Sequence, residues 1–216
     1  MEEPTVMVYL MTGFLDSGKT QFLNFTLKQD YFQIDGKTLL ILCEEGEEEY
    51  DPMEMLKYGV VIERVEEQED LTEEWLEEMD KKHEPERVVV EYNGMWKVSD
   101  FESLRLPDGW AIEQKLTTVD ASTFQMYLTN LKPLFVEMVR NAELVLFNRC
   151  EDIKPLAGYR RSVKVVSPQA EVIFEDENGE VENIFEDDVP YDLKAPVIEI
   201  AKEDYSTYLE EAGRKI

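Results

Sequence analysis

Sulfur and imidazole are scarce in this chain. Two cysteines, Cys43 and Cys150, and one histidine, His83, are spread over 216 residues. That count excludes a disulfide framework and a zinc-finger spacing. Positive charge is scarce as well. Lys and Arg number 22 against 49 Asp and Glu, a formal net charge of −27. No basic run of any length interrupts the acidic surplus. A polyanion is repelled by phosphate backbones and by anionic lipid. Nucleic acid and membranes are therefore not expected as partners, which leaves small molecules, metal ions or a basic protein. No segment approaches the roughly 20 apolar residues of a membrane span. The first apolar run, residues 6–11, has only a strand's length and no basic flank, so it does not read as a signal peptide. A cytoplasmic location is expected.

What is present is enough apolar material for a core. Hydrophobic residues make up 43% of the sequence, so the charge does not mark a disordered chain. The length suits one large α/β domain, alone or with a small appendage. Residues 5–12, 37–43, 86–91 and 143–147 read as buried strands, with weaker strands at 60–65, 110–119, 170–174 and 195–200. Helices are expected at 19–28, with Phe22, Leu23 and Phe25 inward, and at 71–82, with Leu71, Trp75, Leu76 and Met79 on one face. A long helix over 122–141 should kink near Pro133. Apolar strands alternating with helices imply an α/β fold of three layers, a mostly parallel sheet flanked by helices. The acidic, turn-rich stretch 175–192, with a turn at 177–179, is the natural boundary or edge.

The strongest chemical signal is Gly13-Phe14-Leu15-Asp16-Ser17-Gly18-Lys19-Thr20. It matches G-x-x-x-x-G-K-[ST] in full, between a buried strand and a helix. Gly13 and Gly18 permit the tight path that turns several N–H groups inward, and the helix N-terminus completes an anion cradle. Lys19 reaches the β- and γ-phosphates of a nucleotide, Ser17 belongs to the cradle, and the Thr20 hydroxyl meets Mg²⁺. Asp16 is the odd residue, since a carboxylate beside phosphates is repulsive unless it points to solvent.

GFLDSGKT followed by QFLN resembles the loop of the CobW-like GTPases, relatives of the nickel-insertion GTPases. Further segments are similar in the same order: LCEEGEEEYD at 42–51 to the family's switch segment, EYNG at 91–94 to its ETTG, VDA at 119–121, NRCE at 148–151 to the guanine-reading NKxD, and SPQA at 167–170 to NPxA. The likeness covers roughly residues 5–175. It implies a P-loop NTPase fold and a GTPase domain over 1–175, with 176–216 an acidic extension, an edge strand or the start of a second domain. Three features depart from the family: its metal-binding CxCC has no counterpart, NKxD has become NRCE, and ETTG has become EYNG.

The resemblance implies roles. Asn148 would brace the base and the loop, and Glu151 would accept from guanine N1–H and N2–H₂, with Asp152 next to it. Glu91, at a strand end, would hold a Mg²⁺-bound water or orient the attacking one, and Gly94 would bring a backbone N–H to the γ-phosphate. Glu44, Glu47 and Asp51 offer hard oxygens to Mg²⁺ or a second metal, although most of the run 47–49 reads as a solvated face. Thr20, Glu44, Asp51 and Glu91 form the candidate metal set, and Lys19, Glu91 and Glu44 the candidate catalytic set. Cys43 and Cys150 read as small buried residues, His83 as exposed, Met53 and Met55 as packing residues, and Met95-Trp96 as core or a contact surface. The expected function is Mg²⁺-dependent binding and slow hydrolysis of GTP, switching a partner or a metal-delivery step for a client metalloprotein. The competing readings are a non-hydrolysing nucleotide-binding adaptor with an acidic surface and an ATP-dependent P-loop kinase. Oligomeric state is open.

A thiolate-rich zinc site needs more soft ligands than two distant cysteines supply. Protein purified without chelator should therefore carry no stoichiometric zinc, and any transition-metal binding should be weak and oxygen-dominated. Submicromolar zinc affinity that is lost in Cys43→Ser, measured against a competing chelator, is the contrary result.

Overall fold

The structure, a computed structural model, describes residues 4–44, 46, 49–140, 142–150, 153, 156–175 and 181–182. In chain order the elements are β1 (Val6–Thr12), α1 (Lys19–Thr26), β2 (Thr38–Leu42), α2 (Pro52–Met55), β3 (Val60–Arg64), α3 (Glu73–His83), β4 (Arg87–Glu91), α4 (Val98–Glu102), β5 (Trp110–Asp120), α5 (Phe124–Asn130), α6 (Lys132–Arg140), β6 (Leu144–Asn148), α7 (Ala157–Val166), β7 (Glu171–Glu175) and β8 (Val181–Glu182). The strands form one sheet in the order β3-β2-β4-β1-β5-β6-β7-β8. The first seven are parallel, and β8 pairs antiparallel with β7. The expected strand at 195–200 and the turn at 177–179 lie outside the described residues.

Alternation along each strand builds two cores, because successive side chains leave opposite faces. Val8 and Leu10, Leu39 and Ile41, Val88 and Val90, and Val145 and Phe147 face Leu76, Phe101, Phe124, Phe135 and Val139 of α3 to α6, with Val163 of α7. The intervening Met11, Leu40, Val89 and Leu146 face Phe22 and Leu23 of α1, with Leu27, Phe32 and Met55. Helices thus cover both faces, which is the three-layer arrangement a parallel sheet requires. At its N-terminal end, buried Arg87 donates from Nη2 to the Phe32 carbonyl at 2.6 Å, and its guanidinium lies 3.9 Å over the Phe32 ring. That contact ties the chain leaving α1 to β4.

Several local expectations are corrected. The segment 122–141 is two helices, α5 and α6, broken at Leu131 with φ −125 and ψ 32. Pro133 then sits in the first turn of α6, where its missing N–H costs nothing. On α1, Phe22 and Leu23 are buried as the apolar pattern demands, but Phe25 is only half-buried. Met55 packs in the core, whereas Met53 is exposed. β5 carries an extra residue at Glu113, where its register against β1 shifts between Val8 and Tyr9.

His83 is not the exposed, isolated side chain its sequence context suggests. Its Nε2 lies 2.7 Å from Glu63 Oε1, and Lys82 Nζ lies 2.7 Å from the same oxygen. The end of α3 is thereby fastened to β3. Burial would raise the Glu63 carboxyl, but the Lys82 and His83 hydrogen bonds outweigh it and hold the group below its ordinary range. A lowered folded-state carboxylate stabilises the fold above its unfolded pKa, and that stability is lost as pH falls through the folded value. Glu63→Gln should therefore lower the melting temperature at pH 7, and the difference from the parent should close below about pH 4. A pH-independent difference in thermal melts would contradict this account.

Candidate functional site

All seven parallel strands point their C-terminal ends to one edge, so the loops that follow β1, β2, β4, β5 and β6 converge there. The loop after β1 carries the phosphate-binding motif. Gly13 has φ +145, Asp16 φ +58 and Gly18 φ +90, three left-handed turns in six residues. A side chain at Gly13 would strike the Thr118 carbonyl of β5 and Ser17 Oγ, both at 2.5 Å. One at Gly18 would meet Asn148 Nδ2 at 2.7 Å. Glycine is demanded at both places by the backbone and by the neighbours. Asp16 adopts its strained conformation with its side chain exposed, at the border of the cleft described below.

Neighbouring strand ends hold the loop in shape. Thr12 and Thr117 share a hydroxyl hydrogen bond of 2.8 Å, and Ser17 and Thr118 another of 2.8 Å. Asn148 Nδ2, at the end of β6, donates to the Ser17 carbonyl at 2.9 Å, while its buried Oδ1 has no partner among the described residues. Arg149 follows with φ +53, and its Nη1 donates to the Asp16 carbonyl at 2.9 Å and to Asp120 Oδ2 at 2.8 Å. Arg149 and Asp120 thus clamp the loop from β5 and β6. Neither was assigned that role from sequence, although the positions fall in the NRCE and VDA segments.

Lys19 is buried and fully engaged. Its ammonium donates to the carbonyls of Gly13 at 2.9 Å and Phe14 at 2.8 Å, and pairs with Glu44 Oε2 at 2.5 Å. Beside it, the Thr20 hydroxyl donates to Glu91 Oε1 at 2.6 Å, and the Tyr50 hydroxyl to Glu91 Oε2 at 2.5 Å. Burial pushes the Glu91 carboxyl up, against the opposing pull of the Thr20 and Tyr50 hydrogen bonds and the Lys19 charge. Burial also drives the Tyr50 hydroxyl well above its ordinary range, next to that carboxylate. Tyr50 was missed in the sequence because it sits in a run of glutamates that reads as solvated.

These groups line an open cleft of ≈ 580 Å³, solvent mouth included, bounded by Leu15, Asp16, Gly18, Lys19, Thr20, Gln21, Glu44, Gly46, Glu91 and Arg149. The structure therefore brings together Asp16, Gly18, Lys19, Thr20, Glu44 and Glu91. Asp51 is not among the lining residues: it caps α2, its carboxylate accepting from Met53 N at 2.9 Å and Glu54 N at 3.2 Å. Glu47, Glu151 and Asp152 lie outside the described residues. Cys43 follows β2 and Cys150 follows β6, both buried. Four strand spacings separate β2 from β6, about 19 Å, so the two sulfurs cannot share one ion. Burial, reinforced by the charges of Glu91 and Glu44, pushes the Cys43 thiol up and makes it a poor thiolate.

Gly94 sets the floor of the site. A Cβ there would stand 2.8 Å from Phe14 Cα and closer still to the Gly13 carbonyl. Phe14 in turn stacks on Tyr127 of α5, with centroids 4.0 Å apart and planes at 10°. The loop is packed between the segment after β4 and α5, with no slack.

The sequence model of the CobW/HypB/UreG nucleotide-binding domain matches residues 7–174. No curated protein matches the chain. Among solved structures, it is similar to the Zn(II)-bound YjiA GTPase from E. coli, with 23% identity and a TM-score of 0.57 over 80% of this chain and 57% of that one. It is also similar to the hydrogenase maturation factor HypB from Archaeoglobus fulgidus, with 19% identity and a TM-score of 0.54 over 80% of this chain and 81% of that one. At such identities the likeness is one of fold. The chain spans under three fifths of the length of the YjiA structure.

Because the atoms facing Gly94 are backbone, they cannot step aside as a flexible side chain would. Gly94→Ala should cost about 1–3 kcal/mol of stability, the usual range for overpacking, and weaken phosphate binding by displacing Gly13. A Gly94→Ala protein with parental melting temperature and parental affinity for a fluorescent nucleotide would show that the contact is not tight.

Proposed function

This chain belongs to the CobW/HypB/UreG family of nucleotide-binding domains, and from that premise we propose that it binds GTP with Mg²⁺ at residues 13–20 and hydrolyses it slowly. The observation that carries the reading is the complete phosphate loop in its strand–loop–helix setting, with Lys19, Thr20 and Glu91 gathered at its mouth. The proposed unit is residues 1–175, with 176–216 an acidic extension, an edge strand or the start of a further domain; β8, at 181–182, already pairs with the edge strand β7.

The donor set suits Mg²⁺. The Thr20 hydroxyl and the Glu91 carboxylate are adjacent hard oxygens beside the loop, and they would hold the ion directly or through water. Bound there, Mg²⁺ would offset phosphate charge in a cleft that otherwise has Lys19 and Arg149 against Asp16, Glu44 and Glu91. The protein's own part is positioning. The backbone N–H groups of the loop and the start of α1 cradle the phosphates, Lys19 binds between them, and Glu91, held by Tyr50, orients the attacking water. A carboxylate in that role acts by alignment more than by proton abstraction, which fits slow turnover.

Base choice rests on the segment after β6. Asn148 Oδ1, without a partner among the described residues, is a buried acceptor that a ligand N–H would satisfy. Glu151, which the family likeness aligns with the guanine-reading aspartate, would accept from guanine N1–H but meet the bare N1 of adenine. The proposed use of the nucleotide cycle is a switch, in metal trafficking to a client metalloprotein; the YjiA relative was crystallised with Zn(II). Among the described residues no helix is long and apolar enough to cross a membrane, and a cytoplasmic location is part of the proposal.

Lys19→Ala should lose at least about 1.5–3 kcal/mol of triphosphate affinity while remaining folded, the range for a charge-assisted hydrogen bond. Unchanged affinity would end the phosphate-site reading. GTP and GDP should displace a fluorescent guanine nucleotide better than ATP by on the order of 1–3 kcal/mol, the cost of an unmade buried hydrogen bond. Equal competition by ATP would favour an adenine-using P-loop enzyme, and tight binding without any turnover would favour an adaptor.

A further inference from the structure

The position of Glu44 is not explained by hydrolysis. A carboxylate committed to Lys19 is not free to orient water. Each of the three ammonium protons of Lys19 has an acceptor: the Gly13 carbonyl, the Phe14 carbonyl and Glu44 Oε2. The other oxygen of the same carboxylate, Oε1, accepts from Gly94 N at 3.4 Å. The Lys19 ammonium and the Gly94 N–H are the two groups assigned above to the γ-phosphate. Glu44 therefore presents two anionic oxygens to the donors that a γ-phosphoryl group would use, and its side chain is only 8% exposed.

Glu44 also stands between two clefts. On one side is the phosphate cleft. On the other is a second opening of ≈ 710 Å³, solvent mouth included, lined by Cys43, Arg64, Val65, Glu66, Glu67 and Asn93 together with Leu42 and Glu44 itself. Arg64 ends β3, is exposed, and makes no ion pair among the described residues. It lies near enough to Tyr50 for its charge to be felt there. A displaced Glu44 thus has room next door and a cation in it, for which Glu66 and Glu67 compete. One residue before it, Cys43 N donates to the Glu91 carbonyl at 2.9 Å.

We propose that Glu44 is a specificity-determining residue that stands in for the γ-phosphate, so that the chain takes a nucleoside diphosphate as it is and a triphosphate only by expelling Glu44 toward Arg64. This deepens the GTP-binding reading and rests on it. The physical basis is exchange of partners. A diphosphate needs one of the Lys19 protons, and two of the three are held by neutral carbonyls, which bind an ammonium less strongly than a phosphate oxygen does. The γ-phosphate needs the volume and the charge partner that Glu44 holds, and two anions cannot share them. The triphosphate's gain at Lys19 is reduced by the loss of a buried ion pair, and the new pair with Arg64 returns only what an exposed pair is worth. Binding of triphosphate and displacement of the Glu44 side chain become one event.

The experiment is displacement of a fluorescent GDP analogue from the full chain by GDP and by a non-hydrolysable GTP analogue, in Mg²⁺, for the parent, Glu44→Gln and Arg64→Gln. The parent should prefer the diphosphate. Glu44→Gln should shift the triphosphate-to-diphosphate affinity ratio toward triphosphate at least about tenfold, about 1.4 kcal/mol. Arg64→Gln should shift the ratio the other way while its diphosphate affinity stays at the parental level. A Glu44→Gln protein that binds diphosphate with the parental ratio overturns the proposal, as does an equal loss of both nucleotides in a variant whose melting curve is intact. If Glu44→Gln fails to fold, Arg64→Gln decides: an unchanged ratio there overturns the stand-in mechanism. Failure of the underlying reading looks different, since the parent would then bind neither nucleotide and Lys19→Ala would change nothing.

Discussion

The Lys19 ammonium is buried at the end of β1, and a cation taken out of water must be matched by acceptors or neutralised. Two of its acceptors are carbonyls of the loop that precedes it, Gly13 and Phe14, so the cation first of all fixes the loop's own shape. The third is Glu44, a residue of the segment after β2. One side chain thereby joins the phosphate loop to the segment that leads to Tyr50 and Glu91. The tightness of the surrounding contacts makes this joint rigid. Gly94 presses on Gly13 and Phe14, Asn148 holds the Ser17 carbonyl, and Arg149 holds the Asp16 carbonyl. A change at any of these points is transmitted to the ammonium, because close-packed backbone has few soft coordinates to absorb it.

The parallel sheet is what makes such a joint possible. In a parallel arrangement every strand ends at the same edge, so residues far apart in sequence become neighbours there. Lys19 and Glu44 are brought together by β1 and β2, which are not adjacent but flank β4. Glu91 ends the strand between them, and its two oxygens take hydroxyls from both sides, Thr20 after β1 and Tyr50 after β2. On the other flank, Asp120 and Arg149 from β5 and β6 close the loop.

The charge of −27 has a local meaning in this setting. The cleft is no basic trough of the kind that nucleic-acid binders show. It is a place where one buried and one half-exposed cation stand among carboxylates. In the proposed reading, phosphate binding would depend on directed backbone N–H groups, and on a divalent cation to offset the surplus, more than on net field.

Much of this was legible in the sequence. The glycine spacing of residues 13–20 between an apolar run and a helix named the loop, because a tight left-handed path excludes almost every other residue. Continuous apolar runs named β1, β2, β4 and β6, and alternation of strands with helices named the parallel three-layer class. These are local or statistical properties, carried by the side chains of one segment. Partnerships across the sheet are not. No spacing says that Lys19 meets Glu44 or that Tyr50 emerges from an acidic run to hold Glu91. Both depend on strand order, which makes neighbours of residues far apart in the chain; Asp51, by contrast, turns to the nearby N–H groups of Met53 and Glu54. The His83–Glu63 contact likewise joins α3 to β3 across 20 residues, whereas the break at Leu131 lies two residues before Pro133, where the sequence places a kink. Sequence determined the chemistry this chain carries; tertiary structure decided which charges meet, because burial leaves each ionic group only the partners the fold brings within reach.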